Sequence, residues 1–165
     1  MEKNIADSIP SFIYYVRIKD SATSFGESVI TKFTPNNPYD AFMFYKGCLF
    51  PIEIKTTKQT SVSIQTTKKQ KGKMIKMNQV KGLTKAQAFR RVYAGFILDF
   101  RKTDKTYYLG IDDFNQFMRE NNKKSINEAD VNKYNGIPIK KVMKKIHYRY
   151  KIKTLLKKII ERGLQ

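Results

Sequence analysis

The chain has 165 residues, about the size of one domain, and 41% of them are hydrophobic, enough for one sizeable core. Lysine and arginine total 33 against 14 aspartates and glutamates, a formal net charge of +19, and a compact domain with that excess repels itself unless a polyanion is near. Cys48 and His147 are the sole residues of their types, which excludes an internal disulfide, a cysteine zinc cluster and histidine-rich metal centres, and no apolar run reaches the roughly 20 residues needed to span a bilayer.

The N-terminal residues lack the charged-then-apolar layout of a secretory signal, so the expected location is cytoplasmic, with no membrane partner. Nucleic acid is the expected polyanion, because phosphates supply a dense line of negative charge. The blander reading is a basic domain with no specific partner, or one bound to a membrane surface or ribosomal RNA.

In chain order, residues 2–9 read as a short helix stopped by Pro10, since the residue before proline avoids helical geometry. Residues 12–18 are aromatic and β-branched and read as a strand. Residues 21–37, small and polar around Ile30 and Phe33, are too long for an ordinary connection and form either a mobile loop or an arm that reaches a partner. Residues 41–45 and 49–57 form a hairpin about Lys46-Gly47, with Pro51 an awkward ladder member that favours an edge or a bulge. Residues 66–76 carry Lys68, Lys69, Lys71, Lys73 and Lys76 around Gly72 and read as a flexible basic loop.

A helix is expected over residues 75–91, interrupted near Gly82 and restarted by a Thr84/Gln87 capping box. Strands follow at 92–100 and 106–111. Asp112-Asp113 open an amphipathic helix, where acidic residues suit the N-terminal dipole; a metal pair is the weaker reading. Ser125 and Glu128 resemble another capping box. Residues 138–165 read as one or two basic amphipathic helices, with Ile152, Leu155, Leu156, Ile159 and Ile160 on one stripe. The stripe packs on the core with lysines outward, or the helix lies on a duplex. Together the elements make a single α/β domain, a mixed sheet flanked by helices.

The hairpin carries the chemistry. With Lys46 and Gly47 as its loop, Tyr45 faces Cys48, and counting outward puts Asp40 opposite Glu53. Directly paired residues hold their Cβ atoms roughly 4.5–5.5 Å apart on one face, and Lys55, two beyond Glu53, shares that face. Two carboxylates so close disfavour joint ionisation. A divalent cation removes that cost, and oxygen ligands of this kind suit Mg²⁺, with Mn²⁺ as a substitute. Phosphodiester hydrolysis needs an activated water and charge neutralisation at phosphorus, which a carboxylate-held cation and an adjacent lysine supply. Three solvated strand residues in a surface salt bridge would give the same pattern. Asp99 reads as a structural ion pair, Cys48 as a buried apolar residue, and His147 as a DNA or solvent contact.

Pro38-Tyr39-Asp40, followed by the segment from Phe50 to Lys58, resembles the active-site motif of the PD-(D/E)xK nuclease superfamily. Within it, the chain resembles RecU-type Holliday junction resolvases, including phage-encoded ones. Asn78-Gln79 with Gly82-Leu83 is similar to that family's glutamine-bearing helix, and residues 93–100 and 107–109 to its last two core strands. The likeness covers residues 2 to 130. It implies a restriction-endonuclease-like core and a homodimer acting on four-way DNA junctions in recombination or repair, in the bacterial host's cytoplasm if phage-encoded. Asp40 and Glu53 would be metal ligands, with the Ile54 carbonyl as a third, Lys55 the catalytic lysine and Gln79 a residue near the metal water or phosphate. Glu2 falls where the family has a further glutamate, without the glycine and phenylalanine that accompany it.

The resemblance also places residues 21–37 at the stalk that enters the junction centre. Phe25 and Phe33 there either stack on bases or pack against the domain or a partner subunit. Arg17, Lys19 and Lys32 flank or lie on this arm, and Lys58, Lys69, Lys71 and Lys73 follow the catalytic strand; all are expected to grip phosphates. Two other functions remain open: a nuclease of the same fold acting on flaps, forks or duplex, and a non-catalytic basic nucleic-acid-binding protein. For all of these, log affinity should fall with log salt by roughly 0.9 per duplex phosphate contact. Titrating a fluorescent duplex at several salt concentrations measures that slope; a flat response removes the polyanion reading.

Overall fold

A computed structural model describes residues 1–18 and 37–164. Lys19, Phe25, Lys32 and Phe33, with nearly all of the expected arm at 21–37, lie outside the described residues. The elements in chain order are α1 (Glu2–Ala6), β1 (Tyr14–Arg17), β2 (Ala41–Tyr45), β3 (Cys48–Thr57), β4 (Ser61–Ser63), α2 (Met77–Gln87), β5 (Gly95–Phe100) and β6 (Lys105–Gly110). After them come α3 (Ile111–Glu120), β7 (Ser125–Asn127), α4 (Glu128–Lys133), β8 (Ile137–Pro138), β9 (Lys141–Lys144), β10 (His147–Tyr150) and α5 (Ile152–Gly163).

Six strands form the central sheet in the order β1-β2-β3-β5-β6-β8. β3 and β5 run parallel and the other neighbours antiparallel. The mixed α/β class expected from the sequence is therefore the one observed. The β2–β3 turn is the expected one: Lys46 and Gly47 both take positive φ, +50° and +68°, the geometry that lets a two-residue loop follow the strand twist. Ala41 pairs with Ile52 and Tyr45 with Cys48, and Pro51 stays in register opposite Phe42.

Strand alternation divides the core in two. Met43, Phe50, Ile52, Ile54 and Ile97 face one side, where they pack with Ile5 of α1, Tyr150 of β10 and the α5 stripe of Ile152, Leu155, Leu156 and Ile159. Phe96, Leu98 and Phe100 face the other, against Leu83 of α2, Phe114 and Phe117 of α3, and Val131 of α4. Of the two arrangements open for the C-terminal stripe, packing on the core with lysines outward is the one observed.

Several sequence expectations are corrected. Residues 138–165 are not all helical: β9 and β10 form a hairpin before α5. β-branched and aromatic residues at Val142, Tyr148 and Tyr150 favour the strand, and Lys145 turns the chain at φ +57°. α2 is continuous through Gly82, and Thr84 does not cap a new helix; its hydroxyl donates back to the Val80 carbonyl (2.8 Å), while Gln87 accepts from Ala94 N–H (2.7 Å). The cap at the head of α4 is Asn127 with Asp130, each side chain accepting from the other's N–H, and Ser125 instead pairs with Ser63 in β7–β4. The basic segment 66–76 is tied down rather than loose. Gln70 accepts from Thr66 N–H, Gln65 donates to the Gln70 carbonyl and accepts from Met77 N–H, and Ile75 bridges to Ile64.

Gly82 has a tertiary purpose. A Cβ there would sit 2.5 Å from the Pro38 Cβ and 2.9 Å from its carbonyl oxygen. The missing side chain lets α2 lie against the segment that leads into Asp40. Gly82→Ala forces that segment outward and should cost about 1–3 kcal/mol, as overpacking does; a shifted urea midpoint for the purified variant checks it.

Candidate active site

The hairpin register delivers Asp40 and Glu53 to one spot, with a difference from simple cross-strand pairing. The ladder ends at Ala41–Ile52, and Asp40 lies one residue beyond it, its N–H on the Ile52 carbonyl (3.1 Å). Its carboxylate takes the place of the next ladder carbonyl: Oδ2 accepts the Ile54 N–H at 2.7 Å. N–H and C=O of one strand residue point to the same side, as pairwise ladder exchange requires, so the Ile54 carbonyl faces the side on which Asp40 sits.

Glu53 is 1% exposed in the middle of the sheet, Cα-paired with Phe96 of β5. Its Oε1 accepts from the Lys55 ammonium at 2.6 Å and also from Gln79 Nε2. The Gln79 amide is oriented by the helix start, because its Oε1 accepts the Lys76 N–H (2.9 Å) and only its NH₂ is left to face Glu53. Glu53 Oε2 is buried with no hydrogen-bond partner. Burial pushes the Glu53 carboxyl up to about 7 from 4.5; the Lys55 charge opposes that, and Asp40, within hydrogen-bonding reach, adds to the rise. Two carboxylates can share such a contact only through a proton or a cation.

This arrangement fits a hard divalent ion: two carboxylates lie within reach of one another, and one buried carboxylate oxygen lacks any donor. Among the described residues no trio of His, Cys, Asp and Glu gathers at one point. Glu2 pairs with Arg17, its carboxylate 2.6 Å from the guanidinium. Tyr15, which the sequence reading passed over, stands among these charges. Burial raises its phenol, Arg17 opposes this, and Glu2 and Asp40 add to the rise. Its place on β1, two residues before Arg17, was the available signal.

Lys58, Lys69 and Lys71 are exposed and Lys73 is half-buried, all on the chain that leaves β3 for α2. Asp99 is the structural ion-pair member expected of it, 3.4 Å from the Lys141 ammonium. Cys48 is buried, Asp112 and Asp113 begin α3, and His147 is exposed at the start of β10.

No family model matches the chain. It is 30% identical over 176 aligned positions to the SPbeta prophage-derived uncharacterized protein YotM of Bacillus subtilis strain 168, covering 98% of this chain and 84% of that protein. Among solved structures it is similar to Hjc, a Holliday junction resolvase of Archaeoglobus fulgidus, with a TM-score of 0.47 and 15% identity over 77% of this chain and 83% of that one. No helix among the described residues is long and apolar enough to cross a membrane.

The raised Glu53 carboxyl has a definite linkage sign. A group whose folded value lies above its unfolded one lends stability below the unfolded value and loses it as pH rises through the folded value. In chelator, wild-type stability should therefore decline relative to Glu53→Gln between pH 4.5 and about 7. Urea midpoints of both proteins across that window measure it; parallel curves would contradict the buried ionisation.

Proposed function

We propose that this chain, which belongs to the same family as the prophage-derived protein YotM, is a metal-dependent endodeoxyribonuclease of the RecU type that resolves four-way DNA junctions. The observation that carries the nuclease reading is the unpartnered Oε2 of buried Glu53, beside Asp40, while Lys55 occupies Oε1. The junction specificity rests on the sequence resemblance. Phage origin, and with it a host-cytoplasmic location, accords with a prophage-derived relative.

Asp40, Glu53 and the Ile54 carbonyl would hold Mg²⁺, or Mn²⁺ in its place. When bound, the ion acidifies a water and polarises a phosphoryl oxygen. Lys55 is fixed by its bond to Glu53 and is 15% exposed, so its ammonium meets a phosphate with little water to screen it. There it orients the attacking water and stabilises the charge that grows on the phosphoryl oxygens. Gln79 holds Glu53 in one rotamer through the amide already locked by Lys76 N–H. Lys58, Lys69, Lys71 and Lys73 bind phosphates beside the cut; Lys19, Lys32 and Phe25, outside the described residues, contact the same DNA, and Arg17 divides its charge with Glu2. A four-way junction has approximate two-fold symmetry, and a C2 homodimer supplies the two active sites for symmetric cuts.

Asp40→Asn, Glu53→Gln and Lys55→Ala should each keep junction binding and lose cleavage by at least roughly 10²-fold, the scale of losing one transition-state contact. The assay sets a synthetic four-way junction beside matched flap, fork and linear duplex, with Mg²⁺ and with chelator. Junction-selective, cation-dependent cutting supports the proposal. Equal cutting of linear duplex transfers the site to a general nuclease, and cation-independent binding with no cutting of any substrate leaves a binding protein.

A further inference from the structure

The β9–β10 hairpin is built unlike the rest of the molecule. Its base is locked. The Lys141 ammonium, 8% exposed, directs its three donors at Asp104 (2.8 Å), Thr106 Oγ1 (3.2 Å) and Asp99 (3.4 Å), and lies 4.4 Å from the centre of the Tyr148 ring. Tyr150 N–H donates to Ser8 Oγ (2.9 Å), and Arg149 pairs with Asp7. A two-stranded hairpin is marginal by itself in water, so this anchoring is what keeps it in one conformation.

Its tip is the reverse. Ile146 is 83% exposed and Met143 53%, two of the more exposed large apolar side chains among the described residues. Lys144 and Lys145 stand between them, also exposed. A rigid arm thus holds two apolar side chains and two cations out in solvent. No aspartate or glutamate occurs between Asp130 and Glu161, so the hairpin itself carries only cations. The nearby acids Asp99, Asp104 and Asp7 sit at its base, paired with Lys141 and Arg149, which leaves Lys144 and Lys145 at the tip to attract a polyanion.

Position adds to this. Lys141 is bound to Asp99, the Cα partner of Thr56, and Thr56 directly follows Lys55 in β3. The hairpin therefore rises from the same end of β3 and β5 that carries the candidate active site, on the opposite face of the sheet. Below the tip lies an open cavity of about 330 Å³, lined by Ile146, Tyr148, Arg101 and Asn4 among others. An aromatic ring and a guanidinium there offer a displaced base a surface on which to stack.

We propose that the β9–β10 hairpin is a DNA wedge: Ile146 and Met143 enter the base stack at a branch point while Lys144 and Lys145 hold the flanking phosphates. Apolar side chains inserted between base steps unstack them, and the opened step is easier to make where pairing is already interrupted. The inference rests on the DNA-processing reading above and extends it, since it assigns branch recognition to a second element remote in sequence from residues 21–37.

The test uses the full-length protein in chelator, saturating a synthetic four-way junction that carries 2-aminopurine beside the branch point. Wild type should raise the fluorescence as the base unstacks. The Met143→Ser/Ile146→Ser double variant should lose the rise, and Ile146→Leu should retain it. Because both side chains project into solvent, the double variant should keep its thermal midpoint. Lys144→Ala/Lys145→Ala should reduce the salt slope of junction binding by about 2, at roughly 0.9 per contact. A rise unchanged in the double variant, or a wild type that binds the junction without any rise, overturns the wedge and leaves the nuclease reading standing. A wild type that binds no branched DNA overturns both. If the double variant instead loses binding to vesicles of anionic phospholipid while keeping the fluorescence rise, the tip is a membrane contact and the wedge is overturned.

Discussion

The site is organised around one unfavourable fact, a carboxylate placed in the middle of a hydrophobic sheet. Glu53 has Phe96 as its Cα neighbour on β5, and its side chain is removed from water. Isolated ionised carboxylates are too costly to bury, so they acquire partners or stay protonated. Here the compensation is half complete. Oε1 has both an ammonium and an amide; Oε2 has nothing, and Asp40 stands next to the pair with more negative charge. The fold thus holds a site that becomes favourable when positive charge arrives. A cation that bound only this folded arrangement would stabilise it by mass action, and because the carboxyl would have to release its proton first, its affinity would rise with pH across the same range.

The surrounding structure serves that placement. The positive-φ turn at Lys46-Gly47 sets the register that brings Asp40 within reach. α2 is pressed close by Gly82, which puts Gln79 over Glu53 and Pro38 against the helix. Each is a backbone constraint with a single consequence at the carboxylates. The net charge of +19 acts differently. It has no part in specifying the fold, and it makes the open surface one on which phosphates replace self-repulsion with attraction.

How much of this was legible depended on how local the cause was. The hairpin, its register and the convergence of Asp40, Glu53 and Lys55 follow from a two-residue turn and strand periodicity, all within sixteen residues of sequence. The α5 stripe follows from helical spacing in the same way. The C-terminal hairpin was missed because Lys, Val, Met and Tyr at 141–150 satisfy either period weakly, and what decides the matter is Lys141 reaching Asp99 across 42 positions. Gly82 read as a helix interruption because its actual constraint, the nearness of Pro38, is tertiary. The α4 cap was misplaced by two residues since Ser125 and Asn127 are both good caps, and pairing with Ser63 removed the first.

The two faces of the sheet divide the labour. One carries Glu53, Lys55 and the helix that orients them; the other is closed by α1, α5 and the base of the β9–β10 hairpin. What joins them is the parallel pairing of β3 with β5, in which Lys55 lies opposite Leu98 and Thr56 opposite Asp99. Successive residues of one strand thereby face the candidate chemistry and the hairpin anchor. Strand residues rise about 3.3 Å each, so Lys55 and the neighbour of the hairpin anchor are one step apart along β3, on opposite faces of the sheet. A rigid anchor matters for that geometry. A wedge that swung freely would lose the insertion energy to the entropy of holding it still, and the three-acceptor cradle of Lys141 removes that freedom before DNA arrives.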